Sequence, residues 1–530
     1  MTIDQATFEQ RWRCAVRDHG RETFLVFRDH DGTVTSWSYG EFERIVASVA
    51  ATLRSYGVRP GDAVHVGLRN CPAFVAVWLA VSRLGAWMVP VDPASAGRDI
   101  ARQMARTAPV VAVCPVERLG VYREQVPEIP VIGVEQSAVD VRPGGALTAV
   151  PARPVCAGEE QFPPEAAAPG DRLAVMFTSG TTSEPKGVVL SQQNYAHVAG
   201  AMADVVNLTT ESRWYVTLPL FHANAQYYCF APAIAVGASV ALTASFSASR
   251  WLTWASQLDV THASLFAAPI RMILARRPEV VPRLQLEHVW YAQSLAAGQY
   301  DEFAALVGCR PRQLYGMTET IAIASADLSD APGHDRIGDP ADLGRSTRVV
   351  DPVSGVPVPA GTPGLLLVGG TRGVDLFVEY LDDPVTTAGA FERADGLDWL
   401  RTSDLVVADA TGILRFVGRV DDVIKVAGEN VSLTEVEAAL GQAPGVLEAA
   451  VLAEEDPVRD VVPVAFVVPR DPTRPPTVDG LAAWAADHLA PQARPRRWTL
   501  VDALPRTSVG KIRRQKLKEA FAATVEAADS

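Results

Sequence analysis

Apolar and polar positions alternate at the start of the chain and then shift to a helical period. "FLVFRDHDGTVTSWS" (Phe24–Ser38) reads as two strands turning at Asp31-Gly32. Ser38 opens a helix, with Glu41 three residues on as a capping box. Phe42, Val46, Val49 and Leu53 then recur on one helical face, and Gly57 ends it. "DAVHVGL" predicts a strand, "AFVAVWLAVSRLG" a buried helix and "WMVPVDP" the next strand. This alternation predicts a mostly parallel sheet covered on both faces.

The pattern pauses in a Pro- and Gly-rich stretch from Pro143 to Gly170, a surface connection, and resumes with "LAVMF" at Leu173. Between Arg336 and Phe416 it changes to short strands with Gly/Pro turns ("GTPGLLLVGG", "GILRFVG"), which suits a small β-barrel or sandwich. From Asp421 it changes again. Ser432 and Glu435 cap a short helix carrying Leu433, Val436 and Leu440; strands follow at "EAAVLAEE" and "VPVAFVVP", then a helix near Leu481–Leu489. This last part reads as a separate α+β domain. No internal repeat is visible.

Composition narrows the function classes. The 530 residues exceed one comfortable core, and 48% apolar with 21% charged residues is a globular balance. A net charge of −13 without long like-charge runs argues against nucleic acid as a main partner, while leaving room for a local basic patch. No signal peptide is visible in "MTIDQATFEQRWR", and the longest apolar stretch, from Phe230, is too short to span a bilayer. Six scattered cysteines without metal spacing read as reduced thiols, so a cytoplasmic location is expected.

Five segments carry candidate chemistry. "TSGTTSEPKG" (Thr178–Gly187) clusters hydroxyls, glycines and Lys186 behind a strand, suited to wrapping phosphate oxygens, although it lacks the Walker spacing. Alone it equally fits a polar loop. "YGMTE" (Tyr315–Glu319) offers a stacking ring, a hydroxyl and a carboxylate for Mg²⁺. Asp404 in "RTSD" can accept both ribose hydroxyls or simply cap a turn. "GRVDDVIKVAGENVSLTEVE" (Gly418–Glu437) sits at the domain boundary, and "PRTSVGKIRR" (Pro505–Arg514) places Lys511 on a glycine turn.

In this order, the five segments resemble the signature set of the acyl-adenylate-forming superfamily, over essentially the whole chain. "FHANAQ" and "GENVS" look most like the carnitine/crotonobetaine-CoA ligase branch. "PLFHANAQYY" holds no carboxylate to meet a substrate ammonium, which makes an amino-acid substrate unexpected.

The resemblance implies an α/β fold. Residues 1–420 would form a large N-terminal domain of two doubly wound subdomains plus a small β-barrel. Residues 421–530 would form a small mobile α+β domain with Asp421 as hinge. It implies an acid–thiol ligase with ATP, Mg²⁺ and CoA as co-substrates, and leaves a homodimer possible. A hydrophobic carboxylic acid would be adenylated and passed to CoA.

By the same resemblance, Thr178, Ser179, Gly180, Thr181, Thr182 and Lys186 bind phosphates. Gln293, Ser294, Tyr315, Gly316 and Met317 surround the nucleotide, and Asp404 with Arg419 holds the ribose. Thr318 and Glu319 serve the α-phosphate, with Glu319 and Thr182 on Mg²⁺. Lys511 bridges carboxylate and α-phosphate. Gly428 lines the pantetheine channel beside Ala427 and Glu429. His222 gates an acyl pocket walled by Ala223, Gln226, Tyr227 and Tyr291. A satisfied core histidine is the alternative for His222.

Three departures matter: Ser403 and Ser183 replace glycines, and "YAQSL" (Tyr291–Leu295) replaces a small segment expected against adenine. Bulk at Tyr291 and Gln293 raises one alternative, an enzyme that only transfers a preformed acyl-adenylate to CoA. A degenerate nucleotide-binding sensor or scaffold without catalysis is a third reading, against which the presence of both Lys511 and Gly428 speaks.

Overall fold

The computed structural model describes residues 6–141, 167–178, 185–426, 429–456, 460–506, 512–514 and 516–519. Its first hairpin pairs Thr23–Arg28 with Val34–Ser38. Ser38 caps the helix Tyr39–Ser55: its hydroxyl accepts from the Glu41 N–H, and the Glu41 carboxylate accepts from the Ser38 N–H. Two N–H groups that a helix start leaves unpaired are thereby satisfied.

Two large sheets build the N-terminal part. The first has eight strands. Thr23–Arg28, Ser239–Thr243, Arg213–Val216, His262–Phe266, His288–Ala292 and Arg312–Tyr315 run parallel in that spatial order. Val34–Ser38 and Ser325–Ala326 close its edges antiparallel. The second has seven strands, in the order Glu379–Tyr380, Lys186–Ser191, Arg172–Thr178, Trp87–Pro90, Ala63–Val66, Val111–Pro115 and Val131–Val134. Helices Pro72–Arg83 and Gln192–Val205 belong to one core that draws residues from both sheets. A second core covers the other face of the eight-stranded sheet, under helices Trp251–Gln257, Ala267–Ala275 and Ala297–Val307. Strands buried on both faces explain the near-continuous apolar runs.

The β-rich segment is a five-stranded antiparallel sheet centred on Pro363–Gly370 and the long strand Leu397–Ala408, which also pairs with Leu414–Arg419. Beyond it, Val423–Val426 pairs with Glu429–Ser432. Helices Leu433–Leu440 and Val478–His488 then pack on the strands Val446–Asp456, Asp460–Pro469 and Arg497–Leu500 around their own core. Among the described residues no helix is long and apolar enough to cross a membrane. Cys14, Cys71, Cys114, Cys229 and Cys309 are free thiols; Cys156 lies outside the described residues.

Candidate active site

Thr178 ends one strand and Lys186 begins the next, and the two are register partners at the head of an antiparallel pair. Ser179, Gly180, Thr181 and Thr182 lie between them, outside the described residues. The Lys186 Nζ stands 5.0 Å from the centre of the Tyr380 ring. The Tyr380 hydroxyl in turn donates to Glu319 Oε1 at 3.1 Å. Glu319 is buried on a 3₁₀ turn, Thr318–Thr320, and its carbonyl accepts from the Phe377 N–H. Met317 starts this turn, its N–H donating to the Thr320 hydroxyl.

A second cluster, Tyr315, Asp404 and Arg419, adjoins it in the chain at Tyr315. Tyr315, the last residue of its strand, donates its hydroxyl to Asp404 Oδ2 at 2.6 Å. Arg419 lies 3.5 Å from Asp404 Oδ1, and the two are cross-strand partners. Burial, with the Asp404 charge behind it, pushes the Tyr315 phenol well above its ordinary pKa, so it stays a donor. A Cβ on Gly316 would come within 2.5 Å of the Tyr228 hydroxyl, so only glycine fits under that ring without a shift.

On the acyl side the structure separates the expected wall residues. His222 and Ala223 are half-buried, and the His222 ring packs 4.6 Å from Phe221. Gln226 is fully buried with both amide atoms committed: Tyr195 donates to its Oε1, and its Nε2 donates to the Leu220 carbonyl. These two bonds make it a brace of the core. Tyr227 packs edge-on against Tyr195. Tyr291 is set apart from all of these. Its side chain lies in the second core, on the opposite sheet face, with its hydroxyl toward the His334 carbonyl. The period of two along His288–Ala292 turns Trp290 into the first core and Tyr291 into the second. Of the bulky pair, Gln293 alone remains on the loop that follows. It adopts φ +73°, and its carbonyl accepts from Gln313 Nε2. Ser294 is exposed, its carbonyl accepting from Arg271.

Sequence reasoning missed three features. Asn224–Phe230 winds as a π-helix with Ala223 as its cap, two residues after His222; this rare form is frequent at functional sites and has no sequence signature. Tyr380 was not singled out at all. A cavity of about 400 Å³, mostly apolar, opens beside Phe221 between Leu218, Phe246, Pro269 and Met272, with Arg69 and Arg506 also lining it.

Arg506 belongs to the C-terminal part and forms a bridge with Ile512. Lys511, Ala427 and Gly428 lie outside the described residues. Glu429 starts the second strand of its hairpin as the partner of Val426, and is exposed. Asp421 is exposed on the turn Val420–Asp422.

Among the described residues no group of three or more side chains could hold a metal ion. Glu319 is a single buried carboxylate beside a proposed phosphate loop. That donor set fits Mg²⁺, which takes one or two carboxylates and fills its shell with phosphate oxygens and water.

The AMP-binding enzyme family profile matches residues 12–380, and that of its C-terminal domain matches residues 435–511. The chain belongs to the AMP-binding enzyme family. A crotonobetaine/carnitine–CoA ligase of Salmonella paratyphi C is 29% identical over 523 residues, covering 96% of this chain and 98% of that protein. ATP-bound MatB from Rhodopseudomonas palustris superposes with a TM-score of 0.84 at 23% identity, over 98% of this chain and 99% of the other. An anthranilate CoA ligase in complex with anthranoyl-AMP gives 0.85 at 23% identity, over 99% and 100%. The fold of this family member is therefore that of adenylate-forming enzymes.

Proposed function

We propose that the protein is an AMP-forming acyl-CoA ligase acting on an apolar carboxylic acid. The observation that carries this is a pair of neighbouring contact sets, Lys186–Tyr380–Glu319 and Tyr315–Asp404–Arg419, whose residues come from separate strands and one turn. Asp404 is placed to accept ribose hydroxyls, with Arg419 fixing one carboxylate oxygen and Tyr315 the other. Lys186 offers positive charge where phosphate oxygens gather, and Glu319 is the group for Mg²⁺, which when bound neutralises phosphate charge. Lys511 would meet the carboxylate and α-phosphate, where negative charge develops in the first half-reaction. Gly428, with Ala427 and Glu429, would admit the CoA arm in the second. The 400 Å³ cavity beside Phe221 supplies the apolar surface that an acyl chain or a pantetheine arm needs on its way to His222.

Incubation with Mg·ATP, CoA and a panel of carboxylic acids tests the reading. Acyl-CoA, AMP and pyrophosphate are expected; ADP in place of AMP would overturn it. The transfer-only alternative drew on bulk at Tyr291 and Gln293, and Tyr291 is turned into the far core. Ordinary ATP affinity by calorimetry would end that alternative.

A further inference from the structure

Tyr380 touches both charged groups of the proposed phosphate site. Its hydroxyl donates to Glu319 Oε1 at 3.1 Å, and its ring faces Lys186 Nζ at 5.0 Å. The contact spans 61 residues of sequence. Its own position is fixed from several sides. The Tyr380 N–H donates to the Thr387 hydroxyl at 2.9 Å, the following Leu381 N–H donates to the Gly187 carbonyl at 2.7 Å, and Tyr380 is the register partner of Val188. The ring also packs on Phe377 at 4.7 Å and is buried. A tyrosine needed only to fill space would not require a hydroxyl aimed at a buried carboxylate.

We infer that Tyr380 is a positioning residue: one side chain sets the Glu319 carboxylate toward Mg²⁺ and steadies the Lys186 ammonium toward phosphate. The inference rests on the adenylate-forming reading. Through its hydroxyl, Tyr380 holds one Glu319 oxygen and so fixes the plane of the carboxylate. The ring face offers Lys186 a weak electrostatic seat without competing for its N–H donors as a carboxylate would.

The two functions separate by substitution. Tyr380→Phe keeps the ring and deletes the hydroxyl; Tyr380→Leu removes both. ATP binding is measured by calorimetry with chelator present and across an Mg²⁺ titration, with thermal unfolding recorded for each variant. For Tyr380→Phe, metal-free ATP affinity should stay within about twofold. The Mg²⁺ concentration for half-maximal enhancement of ATP binding should rise about tenfold, the scale of a lost hydrogen bond to a charged group. Tyr380→Leu should add a loss of about threefold in metal-free affinity. An unchanged Mg²⁺ midpoint in the Phe variant, or equal losses with and without metal, would overturn the inference. The Phe variant decides this even where the Leu variant does not fold. A parent protein without Mg²⁺-dependent ATP binding would instead overturn the adenylate-forming reading itself, and the inference with it.

Discussion

Ser403 sits between Thr402, whose hydroxyl donates to the Leu366 carbonyl, and Asp404, whose N–H donates to the Thr402 hydroxyl. It adopts φ +63°, the left-handed conformation where the resemblance leads one to expect glycine. A side chain there costs about 1–2 kcal/mol, while glycine gives back part of that as unfolded-state entropy. Ser403→Gly should therefore stabilise the fold by about 0.5–1 kcal/mol in urea unfolding, with Asp404 left in place. A loss of stability would mean that the hydroxyl has a compensating contact. Ile321 is a stronger case of local strain. This buried, β-branched residue holds φ +62° and ψ −80°, two positions after Glu319. Such conformations persist only where surrounding packing over-determines them, and they cluster at functional turns.

At the scale of elements, the hairpin Val423–Ser432 and the chain end around Arg514 behave as one unit. Arg514 reaches Asp422 at 3.6 Å and Glu437 at 3.1 Å, tying the tail to the hairpin and to the helix Leu433–Leu440. Gly428 and Lys511 lie outside the described residues, one falling in sequence between the two hairpin strands and the other three positions before Arg514; in our proposal they serve opposite half-reactions. Lys511→Ala should lower adenylation by about 10²–10³ and largely spare thioester formation from synthetic acyl-adenylate. Gly428→Trp should do the reverse, keeping pyrophosphate exchange and losing CoA acylation. Equal losses in both half-reactions for either variant would remove that residue from its assigned step.

At the scale of the whole molecule, burial of histidines sets an acid limit. His65 is fully enclosed in the seven-stranded sheet, and His262 lies in the eight-stranded one against Trp214 and His288. Burial lowers both from 6.5 to about 4, with the neighbouring His288 adding to the effect at His262. Between those values the unfolded chain takes up protons that the folded chain refuses. The contribution of these sites is therefore complete above pH 6.5 and drains away as pH falls toward 4. Each is worth at most about 3 kcal/mol. Urea midpoints should fall over this window, and His262→Gln should flatten the slope; an unaltered slope would place the acid sensitivity elsewhere.

Ser38 with Glu41, the Leu433–Leu440 face and the apolar runs of the parallel strands were legible because a cap, a helical stripe or a strand needs only neighbours within a few residues. The site motifs were legible for a related reason: phosphate, ribose and metal each demand particular side chains on short turns. Which atoms those side chains meet was decided only in three dimensions. Gln226 became a core brace because Tyr195 and Leu220 claimed both ends of its amide. Tyr291 left the acyl side because strand register, not bulk, chose its face. Tyr380 gained its place through sheet pairing with the Lys186 strand and a contact to Glu319, and Tyr315 met Asp404 across 89 residues. Local pattern fixes each element because its hydrogen bonds are local. Contacts across such separations depend on how sheets pair and stack, which no single segment encodes.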